Sequence, residues 1–347
     1  MVELGIQYSS MNIGKIAKRA KVSTATVSRT INGSNKVTPE TAERVWRVVR
    51  SMGYQPNSYA RALVSGRSRM LGLIISDIVN PFFPELVRGF EEIALENGYE
   101  VIVANTGYDP ERMARSVNRM LERQVEGVAV ITSEMGDNFV AQMAERRIPM
   151  VFLDTARVAA RVSKIKVDYS QGIGEAVEHI VNLGHKRIAF ISGPTELRSA
   201  ETRRNAFLKC LHHYDVLPEK NYVQIGNHRI EGGEEAMERL LALPHRPTAV
   251  LTSNDLTAMG VLRAVYKAKL QVPDDISVVG FDDIEFSQST QPALTTVRLS
   301  RKEVAETAFS ALARLIGGDS EKGNQYDIET HLVVRDSTGP VAKATSC

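Results

Sequence analysis

The sequence predicts an α/β protein in which a small head of three short helices precedes a core of two doubly wound parallel-sheet lobes. The chain has 347 residues, which exceeds one ordinary core and favours two or three domains. Apolar residues first recur at helical spacing, and after Met70 strands and amphipathic helices alternate in two successive runs. Residues 12–69 carry a net charge of +10, whereas residues 70–347 carry −7. A basic head on an acidic core indicates that the head meets a polyanion.

The head begins with two short helices joined by a tight turn. The apolar residues of the first helix lie on one face, and they are Ile13, Ile16, Ala17 and Ala20. Ser23 is placed to cap a second helix, in which either Ala25 or Val27 is expected to be buried. Asn32 and Gly33 end this helix, because both residues tolerate left-handed backbone. This arrangement predicts a helix-turn-helix.

A third helix completes the head, and a hinge follows it. Thr38 is expected to cap this helix and Pro39 to occupy its first position, where a missing N–H does no harm. The helix is expected to end at Gly53, and Trp46, the only tryptophan, to pack in the small core. Residues 57–68 predict a hinge helix and linker, too short to be stably helical alone.

Two runs of alternating strands and helices follow from Met70. The strands of the first run are expected at Leu71–Ser76, Glu100–Asn105, Gly127–Thr132 and Met150–Asp154. The strands of the second run are expected at Lys164–Asp168, Arg187–Ser192, Tyr222–Ile225, Ala249–Ser253 and Ile276–Phe281. Such βαβ units predict parallel sheets, whose ligands bind beyond the carboxyl ends of the strands. A closing helix is expected over Lys302–Ile316, a last strand near Ile328–Val334 and a disordered tail over residues 339–347.

Composition and motifs argue against several classes of protein. No apolar run reaches the roughly 20 residues of a membrane span, and the N-terminus lacks the regions of a secretory signal. Only Cys210 and Cys347 occur, which argues against a disulfide framework and favours a cytoplasmic protein. The sequence has no Walker loop, no HExxH motif and no Cys/His cluster. We therefore expect no enzyme activity, no metal and no cofactor.

Residues 12–69 closely resemble the head and hinge of the LacI/GalR (lactose-repressor/galactose-repressor) family. The resemblance continues through LGLIISDIVNPFF, NLGHKRIAFISGP, TSNDLTAMG, DISVVGFDD and PALTTV, so it covers nearly everything from Asn12 to about Asp336. It implies a DNA-binding transcriptional regulator, specifically a repressor, with a periplasmic-binding-protein-like core that forms a homodimer or a tetramer. The residues before Met11 fall outside the pattern, and Met11 is a candidate natural start.

The resemblance also implies a division of the chain. The helix-turn-helix head comprises residues 12–56, and the hinge helix and linker comprise residues 57–68. The N-terminal lobe of the core comprises residues 69–168 with about 299–327. The C-terminal lobe comprises residues 169–298 with about 328–338, and residues 339–347 form the tail.

The resemblance places contacts with double-stranded, pseudo-palindromic operator DNA in the second helix and the hinge. The expected base-reading residues are Thr24, Ala25 and Arg29. The expected phosphate-contacting or capping residues are Ser23, Thr26, Ser28 and Asn32. The matching hinge residues are Asn57, Ala60 and Leu63. Arg29 can pair with guanine, whereas Ala25 is either a base contact or a helix spacer. Leu63 matches a wedge that enters a minor-groove step.

The same resemblance places a small-molecule effector between the two lobes. The expected effector-binding residues are Phe82, Phe83, Arg203, Asn254, Asp255 and Asp282. Asp282 would accept hydrogen bonds from two vicinal hydroxyls, and Arg203 would donate from the opposite side of the cleft. This chemistry suits a sugar or a sugar derivative.

Some of the candidate effector-binding residues, and the function itself, have an alternative interpretation. Asp255 could instead cap the helix that follows it, and Phe82 and Phe83 could belong to the core. His228 and Asp154 are weaker candidates for the effector site. An activator would be built from the same parts as a repressor, whereas a transport-associated binding protein would have a secretory signal and no helix-turn-helix.

Overall fold

The computed structural model describes residues 13–31, 36–54, 67–132, 142–143, 145–155, 157–216, 219, 221–318 and 321–341. Contacts between residues divide the chain after Arg69 into a head unit and a larger core unit. Four of the predicted DNA-contacting residues lie outside the described residues, and they are Asn32, Asn57, Ala60 and Leu63. In the described part of the chain, no helix is both long enough and apolar enough to cross a membrane.

The head unit contains helices α1 (Ile13–Ala20), α2 (Thr24–Ile31) and α3 (Pro39–Ser51). The side chain of Ser23 accepts from the Thr26 N–H at 3.1 Å, and that of Thr38 accepts from the Thr41 N–H at 3.4 Å. Gly53 follows α3 with a φ of +58°, a conformation that glycine adopts without strain. One small core joins the three helices, and its buried members are Ile16, Ala17, Ala20, Val27, Val45 and Val49. Trp46 packs against this core, and Val27 rather than Ala25 is buried.

The core unit alternates strands with helices. Its strands are β1 (Met70–Ile75), β2 (Glu100–Asn105), β3 (Gly127–Ile131), β4 (Met150–Leu153), β5 (Val162–Asp168), β6 (Ile188–Ser192), β7 (Val223–Ile225), β8 (Ala249–Thr252), β9 (Ser277–Asp282), β10 (Thr295–Leu299) and β11 (Gln325–Val333). Its helices are α4 (Phe82–Glu96), α5 (Pro110–Glu122), α6 (Tyr169–Asn182), α7 (Arg198–His213), α8 (Ile230–Leu241), α9 (Asp255–Lys267) and α10 (Arg301–Gly317), with a 3₁₀ turn over Glu285–Gln288. Helices pack against both faces of the strands and form separate apolar clusters there.

The strands are hydrogen-bonded in the order β2-β1-β3-β4-β5-β11-β10-β9-β8-β6-β7. Neighbours are parallel except for β10 and β11, which run antiparallel. Strand β11 joins two lobes, because its first half pairs with β5 and its second half pairs with β10. The N-lobe therefore contains β1–β5, and the C-lobe contains β6–β10. The chain passes between them after Asp168, after Leu299 and within β11.

The beginning of the predicted tail is part of the core, which corrects the prediction that residues 339–347 are disordered. The Gly339 N–H donates to Ser277 Oγ at 3.0 Å, and the Val341 N–H donates to the Leu183 carbonyl at 3.0 Å. His185 is buried and contacts the Gly339 carbonyl at 2.9 Å through Nε2. Residues 339–341 are therefore fixed by polar contacts, which a composition pattern does not reveal.

Candidate functional site

Helix α2 presents a small, polar surface to solvent. The side chains of Ser23, Thr24, Ala25 and Arg29 are exposed, whereas Thr26 and Ser28 are half-buried. Ser23 Oγ and Thr26 Oγ1 lie 2.9 Å apart, so these two hydroxyls also support the first turn of the helix. Val27 holds the opposite side of α2 in the head core. An exposed arginine beside small side chains allows close approach to the edges of base pairs.

A cleft separates the two lobes at the carboxyl ends of their strands. It encloses about 560 Å³ of space, part of which is open to solvent. Its lining residues come from both lobes, and they are Ser76, Asn80, Phe82, Phe83, Tyr108, Ile131, Thr132, Leu153, Asp154, Tyr169, Ser199, Arg203, His228, Asn254, Asp282 and Leu299. The position of this cleft agrees with the rule that open α/β sheets bind ligands beyond their strand ends.

Asp282 is the last residue of β9, and an unusual backbone directs its side chain. Asp282 has a φ of 110° and Asp283 a φ of 53°, conformations that few residues other than glycine adopt. Arg301 Nη1 donates to the carbonyl oxygens of both residues, at 2.8 Å and 2.7 Å. Arg301 Nε also lies 2.7 Å from Glu85 Oε2 in the N-lobe. The turn that carries Asp282 is therefore tied to α4 as well as to α10.

The Asp282 carboxylate is buried in the cleft, with only a few polar neighbours. Asn80 Nδ2 donates to Asp282 Oδ2 at 3.2 Å, and Arg203 Nη2 lies 3.9 Å from Asp282 Oδ1. Burial raises the pKa of Asp282 to about 6, while the Arg203 guanidinium and the Asn80 hydrogen bond act to lower it. A carboxylate that is so sparsely paired can still accept hydrogen bonds from a bound molecule.

Arg203 extends from α7 between two aromatic rings. Its guanidinium carbon lies 4.1 Å from the centre of the Phe281 ring and 5.1 Å from that of Tyr169. Nη1 donates to the Ser253 carbonyl at 2.5 Å, whereas Nε is buried and has no hydrogen-bond partner among the described residues. The Tyr169 hydroxyl donates to Asp154 Oδ2 at 2.7 Å. The rings thus hold a cationic donor at the cleft wall.

Of the neighbours Asn254 and Asp255, the first lines the cleft and the second does not, and Asn254 rather than Asp255 caps α9. Asn254 lines the cleft and caps α9: its Oδ1 accepts from the Thr257 N–H at 2.9 Å, and its Nδ2 donates to the His228 carbonyl at 3.1 Å. Asp255 is not the cap and does not line the cleft. Its carboxylate accepts from the Ile284 N–H at 2.9 Å and from Thr296 Oγ1 at 2.5 Å. Burial raises the pKa of Asp255 well above its ordinary value.

The aromatic candidates line the cleft but are also packed. Phe82 and Phe83 meet edge to face with ring centres 5.3 Å apart, and Phe82 is buried in the core cluster. Core packing of both rings is observed, and contact of either ring with an effector stays a prediction. His228 lines the C-lobe wall, and burial together with Arg203 and Arg229 lowers its pKa to about 3. His228 is a neutral imidazole at physiological pH.

Three prominent residues of the cleft were not predicted from the sequence. Asn80 and Tyr108 lie in loops that follow the carboxyl ends of β1 and β2, a few residues beyond the strands. Tyr169 directly follows β5. The strand-end rule identifies residues at the ends of the strands, and it does not identify side chains that extend into the cleft from the loops beyond them. Among the described residues, no group of three or more His, Cys, Asp or Glu side chains is placed to hold a metal ion.

Two family models match this chain. Residues 12–57 match the model described as bacterial regulatory proteins, lacI family, and residues 177–338 match the periplasmic binding protein-like domain. The HTH-type transcriptional repressor PurR of Klebsiella pneumoniae (strain 342) is 32% identical over 327 residues, which cover 94% of this chain and 96% of that protein. Similarity therefore extends over both the head and the core.

Solved structures show the same architecture. The lac repressor dimer bound to operator and the anti-inducer ONPF has a TM-score of 0.84 and 29% identity, with coverage of 94% of this chain and 99% of that one. The complex of the transcriptional regulator CelR with cellobiose has a TM-score of 0.70 and 26% identity, with coverage of 94% and 99%. Both comparisons extend over the head and the core of this chain.

Proposed function

This chain belongs to the lacI family of bacterial regulatory proteins, and from this premise we propose that it is a repressor whose operator affinity is controlled by a polar, sugar-like effector. The observation that carries the proposal is the cleft between the lobes. There Asp282, a sparsely paired buried carboxylate, faces Arg203, a buried guanidinium with an unpaired N–H. Vicinal hydroxyls can donate to the first group and accept from the second. The CelR relative was solved with a disaccharide, cellobiose.

We propose that the head binds operator DNA through α2. Its exposed Thr24, Ala25 and Arg29 would read base edges, and Ser23, Thr26 and Ser28 would position the helix on phosphates. A helix of 8 residues reaches too few base pairs to select one site in a genome. We therefore propose a homodimer on a pseudo-palindromic operator, as in the solved lac repressor dimer. The proposal includes Leu63 of the hinge as a minor-groove wedge.

Operator binding titrated with candidate effectors tests this proposal. The operator is first selected from a random DNA library, and pentoses, hexoses, disaccharides and nucleosides are then screened for their effect on its binding. Asp282→Asn is expected to abolish the response to the active compound, because an amide cannot accept from two hydroxyls as a carboxylate does. Asp274→Asn, an exposed position, is the matched control. A response curve unchanged in Asp282→Asn would remove the effector from this cleft.

A reporter gene placed behind the selected operator distinguishes repression from activation. Deletion of the regulator is expected to raise expression of the reporter. Lower expression on deletion would indicate an activator with the same architecture.

A further inference from the structure

An ion pair connects the two lobes beside the cleft. Arg229 Nη2 lies 2.7 Å from Asp77 Oδ2, with the arginine side chain 34% exposed and the carboxylate 8% exposed. Asp77 follows β1 in the N-lobe, whereas Arg229 immediately precedes α8 in the C-lobe. The pair therefore spans the two bodies that border the cleft.

Both partners are held in place by contacts within their own lobes. Asp77 Oδ1 accepts from the Val79 N–H at 3.0 Å, which fixes the carboxylate in a tight turn after β1. The Arg229 N–H donates to Asn227 Oδ1 at 3.0 Å, and the neighbouring His228 carbonyl accepts from Asn254. The Asp77 side chain is fixed in this way and loses little conformational freedom when it pairs, while the bonds around Arg229 fix the backbone from which its side chain extends. A rotation of one lobe away from the other would separate their charges.

The groups around the ion pair leave the attraction between Asp77 and Arg229 strong. Asp77 is buried, so water screens the attraction less than it does for an exposed pair. Tyr108 is close enough to feel the charge of Asp77, and burial followed by that charge raises the pKa of Tyr108 to about 12. The tyrosine thus stays neutral and adds no opposing charge at neutral pH. Arg229 Nη1 is buried and has no hydrogen-bond partner among the described residues. Asp77 is therefore the main group that balances the charge of the Arg229 guanidinium.

We propose that Asp77 and Arg229 are positioning residues of the cleft: their ion pair, the interlobe latch, holds the lobes closed independently of the atoms that bind the effector. Other interlobe contacts join Asn80, Glu85 and Arg301 to the turn that carries Asp282, and the Asn80 contact uses the carboxylate that the proposed function assigns to the effector. The latch uses neither Asp282 nor Arg203, so it persists when the effector is bound. A contact made in one conformation alone shifts the population toward that conformation.

The distance between the lobes in the full-length protein tests the latch directly. Spin labels are attached at Leu95→Cys and Tyr266→Cys, which are 70% and 82% exposed, in a background with Cys210 and Cys347 replaced by serine. Labelled chains are diluted with unlabelled chains, so that only distances within one chain contribute. Asp77→Asn retains the oxygen that accepts from Val79, and therefore removes the charge without removing the turn. Arg229→Gln removes the other charge.

Each single variant is expected to lower the ratio of closed to open chains at least about fivefold. The double variant is expected to resemble either single one, because the second substitution removes nothing further. Arg229→Lys is expected to restore part of the closed population. Asp275→Asn, which breaks the Arg246–Asp275 pair within the C-lobe, is the control and leaves the distances unchanged. Unchanged distances in the single variants, or effects that add in the double variant, would overturn the latch.

An effect of the latch on operator affinity rests on the proposed function. A second measurement distinguishes a failure of the latch from a failure of that function. Operator affinity of the same variants is measured without any effector. A change in operator affinity that follows the change in lobe distance supports both the latch and the coupling of the cleft to the head. Open lobes with unaltered operator affinity support the latch and contradict that coupling.

Discussion

At the scale of single residues, the strained pair Asp282–Asp283 shows how the backbone serves the site. Positive φ values at two consecutive residues other than glycine destabilise the folded state, and they are retained where surrounding contacts fix them. Here Arg301 binds both carbonyl groups, while Arg298 and Arg335 each lie 2.6 Å from a carboxylate oxygen of Asp283. The two neighbouring carboxylates therefore differ in how closely arginines pair with them. Asp283 is neutralised by arginines, and Asp282 is left available in the cleft.

The burial of Asp282 predicts a pH-dependent stability. Its pKa is raised from 3.8 to about 6 in the folded chain, so the folded state holds the proton between about pH 4 and pH 6, where the unfolded state has lost it. The free energy of unfolding therefore falls as the pH rises through this window, by up to about 3 kcal/mol from this residue. We predict that Asp282→Asn is about 1–3 kcal/mol more stable than the wild type at pH 8.

Urea unfolding followed by circular dichroism at pH 4, 6 and 8 measures this difference. The difference is expected to narrow toward pH 4, where the folded carboxyl is protonated and the unfolded one, with a pKa of 3.8, is only partly ionised. Asp274→Asn should follow the wild type at every pH, since this side chain is exposed. A constant difference across the three pH values would contradict a buried charge at Asp282.

Arg29 predicts the base preference of the head. Its side chain is exposed near the end of α2, and a bidentate contact with guanine is worth about 1–3 kcal/mol of discrimination. Arg29→Ala should therefore lose affinity for the selected operator and relax the preference at one base pair in each half-site. Fluorescence anisotropy with single-base operator variants measures both effects. Arg50→Ala, in α3, should weaken binding to all these sequences equally. An unchanged base preference in Arg29→Ala would exclude it from base reading.

At the scale of elements, helix caps show where a local signal predicts the start of a helix and where it does not. Thr38-Pro39 predicted the start of α3 correctly, because the cap and the first-position proline are local signals. In Ser253-Asn254-Asp255, each residue can cap a helix, so local chemistry does not decide between them. The surrounding structure does: Thr296 and Ile284 bind Asp255, which leaves Asn254 as the cap. These partners are distant in sequence and could not be predicted.

The cap at α9 predicts a loss of stability at a residue that also lines the cleft. Asn254→Ala removes the acceptor for Thr257 and the donor to the His228 carbonyl, and should lower the free energy of unfolding by about 1–2 kcal/mol. Asn254→Ser keeps a cap acceptor without setting a carboxylate against the His228 carbonyl, and should recover part of that loss. Urea unfolding of the two variants at pH 7 provides the measurement. Equal stability of Asn254→Ala and the wild type would show that the cap contributes nothing.

Strand β11 shows the limit of prediction from local patterns. The apolar pattern predicts a strand near Ile328–Val334, whereas β11 begins at Gln325. Its first residues are mostly exposed, so they lack the apolar run that identifies a buried strand. They are nevertheless paired with β5 and carry the chain from one lobe to the other. The central strands were recognised because they are buried on both faces and therefore read as continuous apolar segments.

At the scale of the whole molecule, the architecture and the distribution of charge can both be predicted from the sequence. The α/β alternation, the two lobes and the position of the cleft follow from periodicity and from the strand-end rule. The polar network inside the cleft did not follow, because Asn80, Tyr108 and Arg229 meet their neighbours only through folding. The net charge of +10 in residues 12–69 and of −7 in residues 70–347 directs the head, and not the core, toward a polyanion.

This charge distribution and the short α2 together predict how the protein binds its operator. Two heads of one dimer should bind a pseudo-palindromic operator far more tightly than one half-site, because a single 8-residue helix supplies too few base contacts. The affinity should fall steeply with salt, since each phosphate contact releases bound cations. Anisotropy titrations of the full-length protein against full and half operators at several KCl concentrations measure both dependences. The half-site should also show the shallower slope, because one head contacts about half as many phosphates. A half-site bound as tightly as the full operator, with the same slope, would mean that one head suffices and that the dimer is not the binding unit.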